Sequence, residues 1–255
     1  MKELVRLDLV EEGIAVLSLQ DQVKKNAFRD EFIDVLLARL EELAGLEEAR
    51  VCILRGLPDV FCAGADKDLL LELAEGNRAA SDIVLPKVVL DLPIPVIAAI
   101  EGHAIGGGLA LALCCDLIVL ARESRYGCSF MNMGFTPGMG ITRLLELAVG
   151  PYVAAEMMFG GQFFKGSRFE HAAGFNYVLP RAEVFPKALQ LARRIAEKPR
   201  PALTTLKRNL SLPRRQAFEE TITAETFMHQ LCFADPETGR RIRENYTPAA
   251  PRETT

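Results

Sequence analysis

Three consecutive glycines, Gly106, Gly107 and Gly108, interrupt the apolar stretch Ala98–Asp116 where a strand must turn into a helix. Glycines at such a turn leave backbone N–H groups bare at a helix N-terminus. Bare N–H groups there hold negative charge, either a bound anion or an oxygen that becomes anionic during a reaction. Taken alone, the run fits a tight strand-to-helix packing turn equally well. A second loop changes the balance. Phe61–Asp66 reads FCAGAD and follows the strand-like run Val51–Arg55. Its small side chains leave another backbone N–H unobstructed. Two such loops, each after a strand, can point two donors at one carbonyl oxygen.

The elements that must hold these loops are readable in outline. Leu4–Leu9 and Ile14–Leu19 alternate around Glu11-Glu12-Gly13, which predicts a hairpin. Phe32, Val35, Leu36, Leu40 and Leu43 have helical spacing within Arg29–Ala44. Val51–Leu54, Pro95–Ile100 and Leu117–Leu120 read as buried strands and Gly107–Cys114 as a helix, while Leu69–Asn77 looks irregular or weakly helical. Ser81 or Asp82 is expected to cap a helix running toward Leu90. Helices are also expected over Arg143–Val149, Val153–Phe159, Glu183–Lys198 and Gln216–Phe233, the third burying Val184, Ala188, Leu191 and Ile195. Strand and helix alternate, so the fold class is α/β.

Several motifs together resemble a known family. Asn26-Ala27, Leu54-Arg55-Gly56, Phe61–Asp66, Pro95–Ile100, Glu101–Gly108, Asp116 and Gly134–Gly140 (GFTPGMG) follow in the order and spacing of the crotonase (enoyl-CoA hydratase/isomerase) superfamily. The resemblance spans Leu4 to Tyr246. It implies a ββα spiral core over residues 1–198, a helical region over 199–246 that joins subunits into a homotrimer or hexamer, and a loose tail over 247–255. It also implies an oxyanion hole made by two backbone N–H groups, at the positions of Ala63 and Gly107, with Gly106 beside them.

One part of the family pattern is missing. Its hydratases add water with two glutamates, and the matching positions here are Ala110 and Phe130. Hydration needs a base for the water and an acid for the carbon, and neither is present at those positions. A drier pocket with the two donors retained suits loss of carbon dioxide from a carboxylate conjugated to a thioester. Within the superfamily, Phe130–Gly140, Tyr177–Val184, Ala196–Lys207 and the late His229 look like the decarboxylating crotonases of polyketide β-branching cassettes, as in bacillaene biosynthesis. That branch implies conversion of a 3-methylglutaconyl-acyl carrier protein to a 3-methylcrotonyl-type product. The acyl carrier protein is then the partner. No cofactor is implied beyond the phosphopantetheine, or coenzyme A, that carries the acyl group. Two other readings stay open: a double-bond isomerase acting on acyl thioesters, and a non-catalytic crotonase-fold binding protein.

Only one further group is needed for decarboxylation, a proton donor. His229 is the first candidate, on the helical face of Phe218, Ile222 and Phe233; Glu225, four residues earlier, could orient the ring and favour its imidazolium, or, as a glutamate that fits the family pattern, serve a structural duty instead. The alternative is a histidine satisfied at a subunit seam. Lys87 is the second candidate, among Val84, Val88 and Val89, either holding the distal carboxylate or snorkelling to solvent. Lys24 and Lys67 are candidate phosphate contacts, or solvated charges, and Asp66 is expected to cap the next segment. His103 is read as pinning backbone and His171 as a surface residue. Histidines so dispersed do not suggest a metal site.

Composition bounds the rest. A net charge of −4 argues against a nucleic-acid surface. Arg181–Arg215 nevertheless holds ten Lys and Arg against Glu183 and Glu197, a local +8 that leaves −12 elsewhere. This patch fits solvated helix faces or a dock for phosphate and an acidic carrier protein. The six cysteines show no ligand or disulfide spacing and read as buried thiols of a cytoplasmic protein. No apolar run is long enough to span a membrane, and the N-terminus reads as a strand.

Overall fold

The computed structural model describes residues 3–77, 84–171 and 174–246. The expected hairpin opens the fold as β1 (Val5–Glu11) and β2 (Ile14–Leu19), followed by α1 (Asp30–Gly45). The chain then repeats one course. Each pass lays a strand in a large sheet, turns a corner into a short strand of a second sheet, and leaves through helix. The first pass is β3 (Val51–Arg55), β4 (Val60–Cys62), α2 (Lys67–Ala74) and α3 (Leu85–Asp91). The second is β5 (Val96–Ile100), β6 (His103–Ile105) and α4 (Gly107–Leu113). The third is β7 (Leu117–Ala121), β8 (Arg125–Gly127) and, after a 3-10 turn at Phe130–Met133, α5 (Ile141–Val149). Then come α6 (Pro151–Phe159), β9 (Phe163–Lys165), β10 (Tyr177–Leu179), α7 (Arg181–Ala196), α8 (Arg200–Leu210), α9 (Leu212–Phe233) and α10 (Pro236–Asn245).

The large sheet runs β1-β2-β3-β5-β7-β10, parallel from β2 onward, and the small one β4-β6-β8-β9. Parallel strands covered on both faces read as unbroken apolar runs, which is why Val51–Leu54 and Val96–Ile100 show no alternation. The corners are tight. A Cβ at Gly102 would lie 2.2 Å from the Val60 nitrogen, so no other residue lets β6 pass the start of β4. The second sheet was not foreseen from the sequence. Its strands are three residues long, too short to carry a period.

Other expectations shift by small amounts with identifiable causes. The weakly helical stretch is a helix, α2, because the Asp66 carboxylate accepts the Asp68 N–H and caps it. The caps proposed at Ser81 and Asp82 lie outside the described residues. α7 buries Val184, Ala188, Ala192 and Ala196, and leaves Leu191 and Ile195 only partly covered. Its alanine stripe lets the helix lie close on Ile53, Ile97, Ala99 and Val119 of the sheet. α8, α9 and α10 have no strand partner, as expected for the C-terminal region. No helix of the described residues is long and apolar enough to cross a membrane.

One polar node fastens that region to the sheet. Asp116 accepts the Val96 N–H, pairs with Lys207 of α8 at 2.6 Å and pairs with Arg214 of α9 at 2.6 Å. The Lys207 side chain is 1% exposed. Arg193 pairs with Glu11, Arg215 with Asp91, and Arg200 donates to the Ala49 carbonyl. Much of the basic surplus of Arg181–Arg215 is therefore engaged inside the molecule.

Candidate active site

The two glycine-bearing loops meet. α4 begins at Gly107 after Gly106, whose φ of +53° is the conformation that lets the chain turn from β6 into the helix. The helix start presses on β4 so closely that a Cβ on Gly108 would lie 2.3 Å from the Cys62 carbonyl oxygen. A Cβ on Gly64 would lie 3.3 Å from the Gly107 nitrogen. Proximity of the FCAGAD loop to the helix start is thus fixed by backbone contacts alone.

The donor expected from the first loop is corrected. The Ala63 N–H donates to the Lys25 carbonyl at 3.1 Å and faces the segment 25–28. Gly64, with φ of +80°, turns the chain over after it. Phe28 then donates to Gly64 and accepts from Asp66, forming a parallel bridge to Ala65. In such a bridge the middle residue's own N–H points the other way. The Ala65 N–H therefore faces away from residues 25–28. Among the described residues neither it nor the Gly107 N–H has an acceptor. Buried Asn26 fixes this arrangement: its side chain donates to the Phe61 carbonyl at 2.8 Å and accepts from the Asp21 N–H at 2.8 Å.

Ala65 and Gly107 line one cavity. Its wall continues through Leu70, Phe130, Met133, Phe135 and Tyr246. Of the described residues lining it, none is Asp, Glu, Lys, Arg or His. Gly106 and Phe130 are at the wall, with the Phe130 ring against Gly106. Ala110 is not: it is fully buried one turn into α4, within the main core. A polar atom enters from the far end of the chain, where the Tyr246 hydroxyl donates to the Ala65 carbonyl at 3.1 Å. The sequence reading missed α10 and Tyr246, because a helix with so few apolar residues looks like a loose polar stretch.

The expected side chains are arranged differently. His229 packs between Phe135 and Phe233, at centroid distances of 6.1 and 5.5 Å, and Phe135 separates it from the cavity. Its Nε2–H donates to the Thr136 carbonyl at 2.8 Å, leaving Nδ1 bare and buried. Burial holds the ring below its usual pKa, so it is neutral rather than an imidazolium. Glu225 does not orient it. That carboxylate accepts the N–H groups of Gly140 and Thr142 at the start of α5, and burial raises its pKa. Lys87 is exposed, pairs with Asp91 at 2.7 Å and faces a groove beside α1 instead of the cavity. Lys24 pairs with Asp66, and Lys67 donates to the Arg243 carbonyl. None of Lys24, Asp66 and Lys67 lines the cavity. His103 accepts the Arg125 N–H, pinning backbone, and His171 is at the surface. The Cys62 thiol, pushed up to about 12 by burial, is no nucleophile.

His229 carries a pH prediction. The folded ring resists a proton that the unfolded chain accepts from its usual pKa of 6.5 downward. Its contribution to stability is therefore complete above that value and lost as pH falls through the lower folded pKa. Glu225, raised above 4.5, acts in the opposite sense, losing stability as pH rises. His229→Gln isolates the first contribution. Between about pH 7 and about pH 5 the wild-type Tm is expected to fall more steeply than that of the variant. Parallel curves would show that His229 is not the group that titrates.

The chain belongs to the enoyl-CoA hydratase/isomerase family, whose model matches residues 10–244. Among its relatives, the bacillaene synthase decarboxylase PksI of Bacillus subtilis is 38% identical over 95% of this chain and 97% of its own. The mitochondrial methylglutaconyl-CoA hydratase of Homo sapiens is 30% identical over 87% of this chain and 67% of its own. Among solved structures, one from a dehydratase/decarboxylase enzyme couple involved in polyketide β-branching superposes with a TM-score of 0.92. It is 38% identical, with 95% of this chain and 99% of that one covered. The ECH2 decarboxylase domain of CurF from Lyngbya majuscula gives a TM-score of 0.89 at 32% identity, covering 96% and 100%.

Proposed function

We propose that this protein is a decarboxylase of polyketide β-branching, releasing carbon dioxide from a 3-methylglutaconyl group on an acyl carrier protein and leaving a 3-methylcrotonyl-type thioester. The observation that carries this reading is the cavity: two unengaged backbone N–H groups and no carboxylate among the described residues that line it. The Ala65 and Gly107 donors form an oxyanion hole for the thioester oxygen. When the bond to the distal carboxylate breaks, its electron pair passes through the conjugated carbons onto that oxygen, and the donors stabilise the enolate. Apart from Ser129, Asn132, Asn245 and Tyr246 the described walls are apolar, so a substrate carboxylate entering there loses hydration that carbon dioxide does not need. Among the described residues the same walls offer no carboxylate or histidine as base for a hydrating water. The similarity to PksI and to the CurF domain supports this chemistry over that of the methylglutaconyl-CoA hydratase.

A proton must then reach the carbanion. His229 delivers it in this reading: a shift of Phe135 admits the ring to the cavity, the bare Nδ1 takes a proton from solvent, and the imidazolium passes one proton to the carbanion and returns to its neutral form. A His229→Ala variant that folds and turns over at the wild-type rate removes it from the mechanism. Lys87 has no such route. Exposed Tyr152, Phe159, Phe227 and Leu231 on α6 and α9 support assembly into a homotrimer or hexamer, which sedimentation would reveal as a multiple of the 28.1 kDa chain.

The decisive experiment is incubation with 3-methylglutaconyl-loaded carrier protein, followed by intact-mass measurement. The acyl group is expected to lose the mass of carbon dioxide. A gain of water would establish a hydratase, and turnover at constant mass an isomerase.

A further inference from the structure

The last turn of α10 is fastened over the oxyanion loops by more contacts than a terminal helix needs. Ile242 is fully buried among Leu70, Leu73, Met133 and Phe135. The Lys67 ammonium donates to the Arg243 carbonyl at 2.9 Å, and Asn245 donates to the Asn132 carbonyl at 3.0 Å. α10 is thereby held between α2, which follows Ala65 in sequence, and the turn that carries Phe130. The chain then delivers Tyr246 to the cavity, with its hydroxyl on the Ala65 carbonyl.

In extended backbone the N–H and C=O of one residue point to the same side. The phenol therefore grips Ala65 from the side to which its free N–H points. Nothing else among the described residues bonds this carbonyl, while on the opposite side the two peptides flanking Ala65 are tied to Phe28 through the Gly64 carbonyl and the Asp66 N–H. We propose that Tyr246 is a positioning residue, whose hydroxyl holds the Ala65 carbonyl from the cavity side and, together with the Phe28 bridge behind it, keeps the residue's N–H on that face. This inference rests on the oxyanion reading of Ala65. Burial, with Asp66 and Asp68 nearby, pushes the phenol up to about 12, so it stays a donor at working pH. A donor fixed before substrate arrives needs no reorganisation when charge develops, and that preorganisation is what the contact supplies.

The test is Tyr246→Phe, which keeps the ring in the wall and deletes the hydroxyl. Its kcat for decarboxylation is expected to fall about tenfold with KM unchanged, the pattern of an interaction that acts in the transition state. In the [15N]alanine spectrum the Ala65 amide is expected to shift and exchange faster with solvent, while other alanine amides stay in place. Tyr246→Leu, lacking the same donor, is expected to match the phenylalanine variant in both readouts. Wild-type kcat in Tyr246→Phe overturns the proposal. So does a fall in kcat with an unmoved Ala65 amide, which would make the phenol a direct participant. If the wild-type protein releases no carbon dioxide, the proposed function fails, and the amide spectrum alone decides whether Tyr246 positions Ala65.

Discussion

Replacing the Ala65 peptide N–H with an ester oxygen, by incorporating lactic acid at that position, is expected to lower kcat for decarboxylation by about 10²–10³. The substitution deletes one donor and adds no bulk. Its effect should fall on kcat more than on KM, because the enolate oxygen carries charge that the ground-state carbonyl lacks. The same replacement at Ala63 is the control. That N–H is engaged by the Lys25 carbonyl, so its loss is expected to cost stability of about 1 kcal/mol and leave kcat near wild type. If instead position 63 abolishes turnover and position 65 does not, the pairing of Ala65 with Gly107 is wrong. A loss at both positions with intact folding would mean that the segment's conformation, and not one donor, controls the rate.

The second large effect is on stability. Asp116→Ala removes both partners' acceptor and leaves the Lys207 ammonium, 1% exposed, without a counter-charge. Stranding a buried charge costs about 3–5 kcal/mol, and the urea midpoint should fall accordingly at fixed protein concentration. Lys207→Met is expected to cost less, because Asp116 keeps Arg214 and the Val96 N–H. The double variant Asp116→Ala, Lys207→Met should recover part of the single loss, since no charge is then stranded. An Asp116→Ala protein as stable as wild type would show that water reaches Lys207. The node also has a functional consequence. It anchors α8 and α9 to the start of β5 and to the residue that precedes β7, and α9 is followed by α10 and Tyr246.

The local signals that were legible share a cause. Glycine where backbone must touch backbone, and unbroken apolar runs where a strand is covered twice, are properties of single segments. Gly106–Gly108 and Phe61–Asp66 could therefore be recognised as tight turns that bring backbone together, and Ala110 and Phe130 as positions without a carboxylate. The assignment to Ala63 failed by two residues because peptide direction depends on the turn at Gly64 and on the bridge to Phe28, which lies 37 positions from Ala65. Likewise, Glu225 and His229 share a helix face, as their spacing requires. What each one touches belongs to other elements: the start of α5 for the carboxylate, and the Thr136 carbonyl for the ring.

By itself, then, the sequence determined the α/β class, the two glycine-bearing turns and the lack of hydrating acids, because each follows from the covalent and steric limits of a short stretch of chain. Only the tertiary structure decided which N–H groups are free, that Lys87 is bound for solvent, and that the far end of the chain closes the cavity. Those outcomes depend on which carbonyl or carboxylate arrives opposite each group, and that is settled by packing between segments remote in sequence.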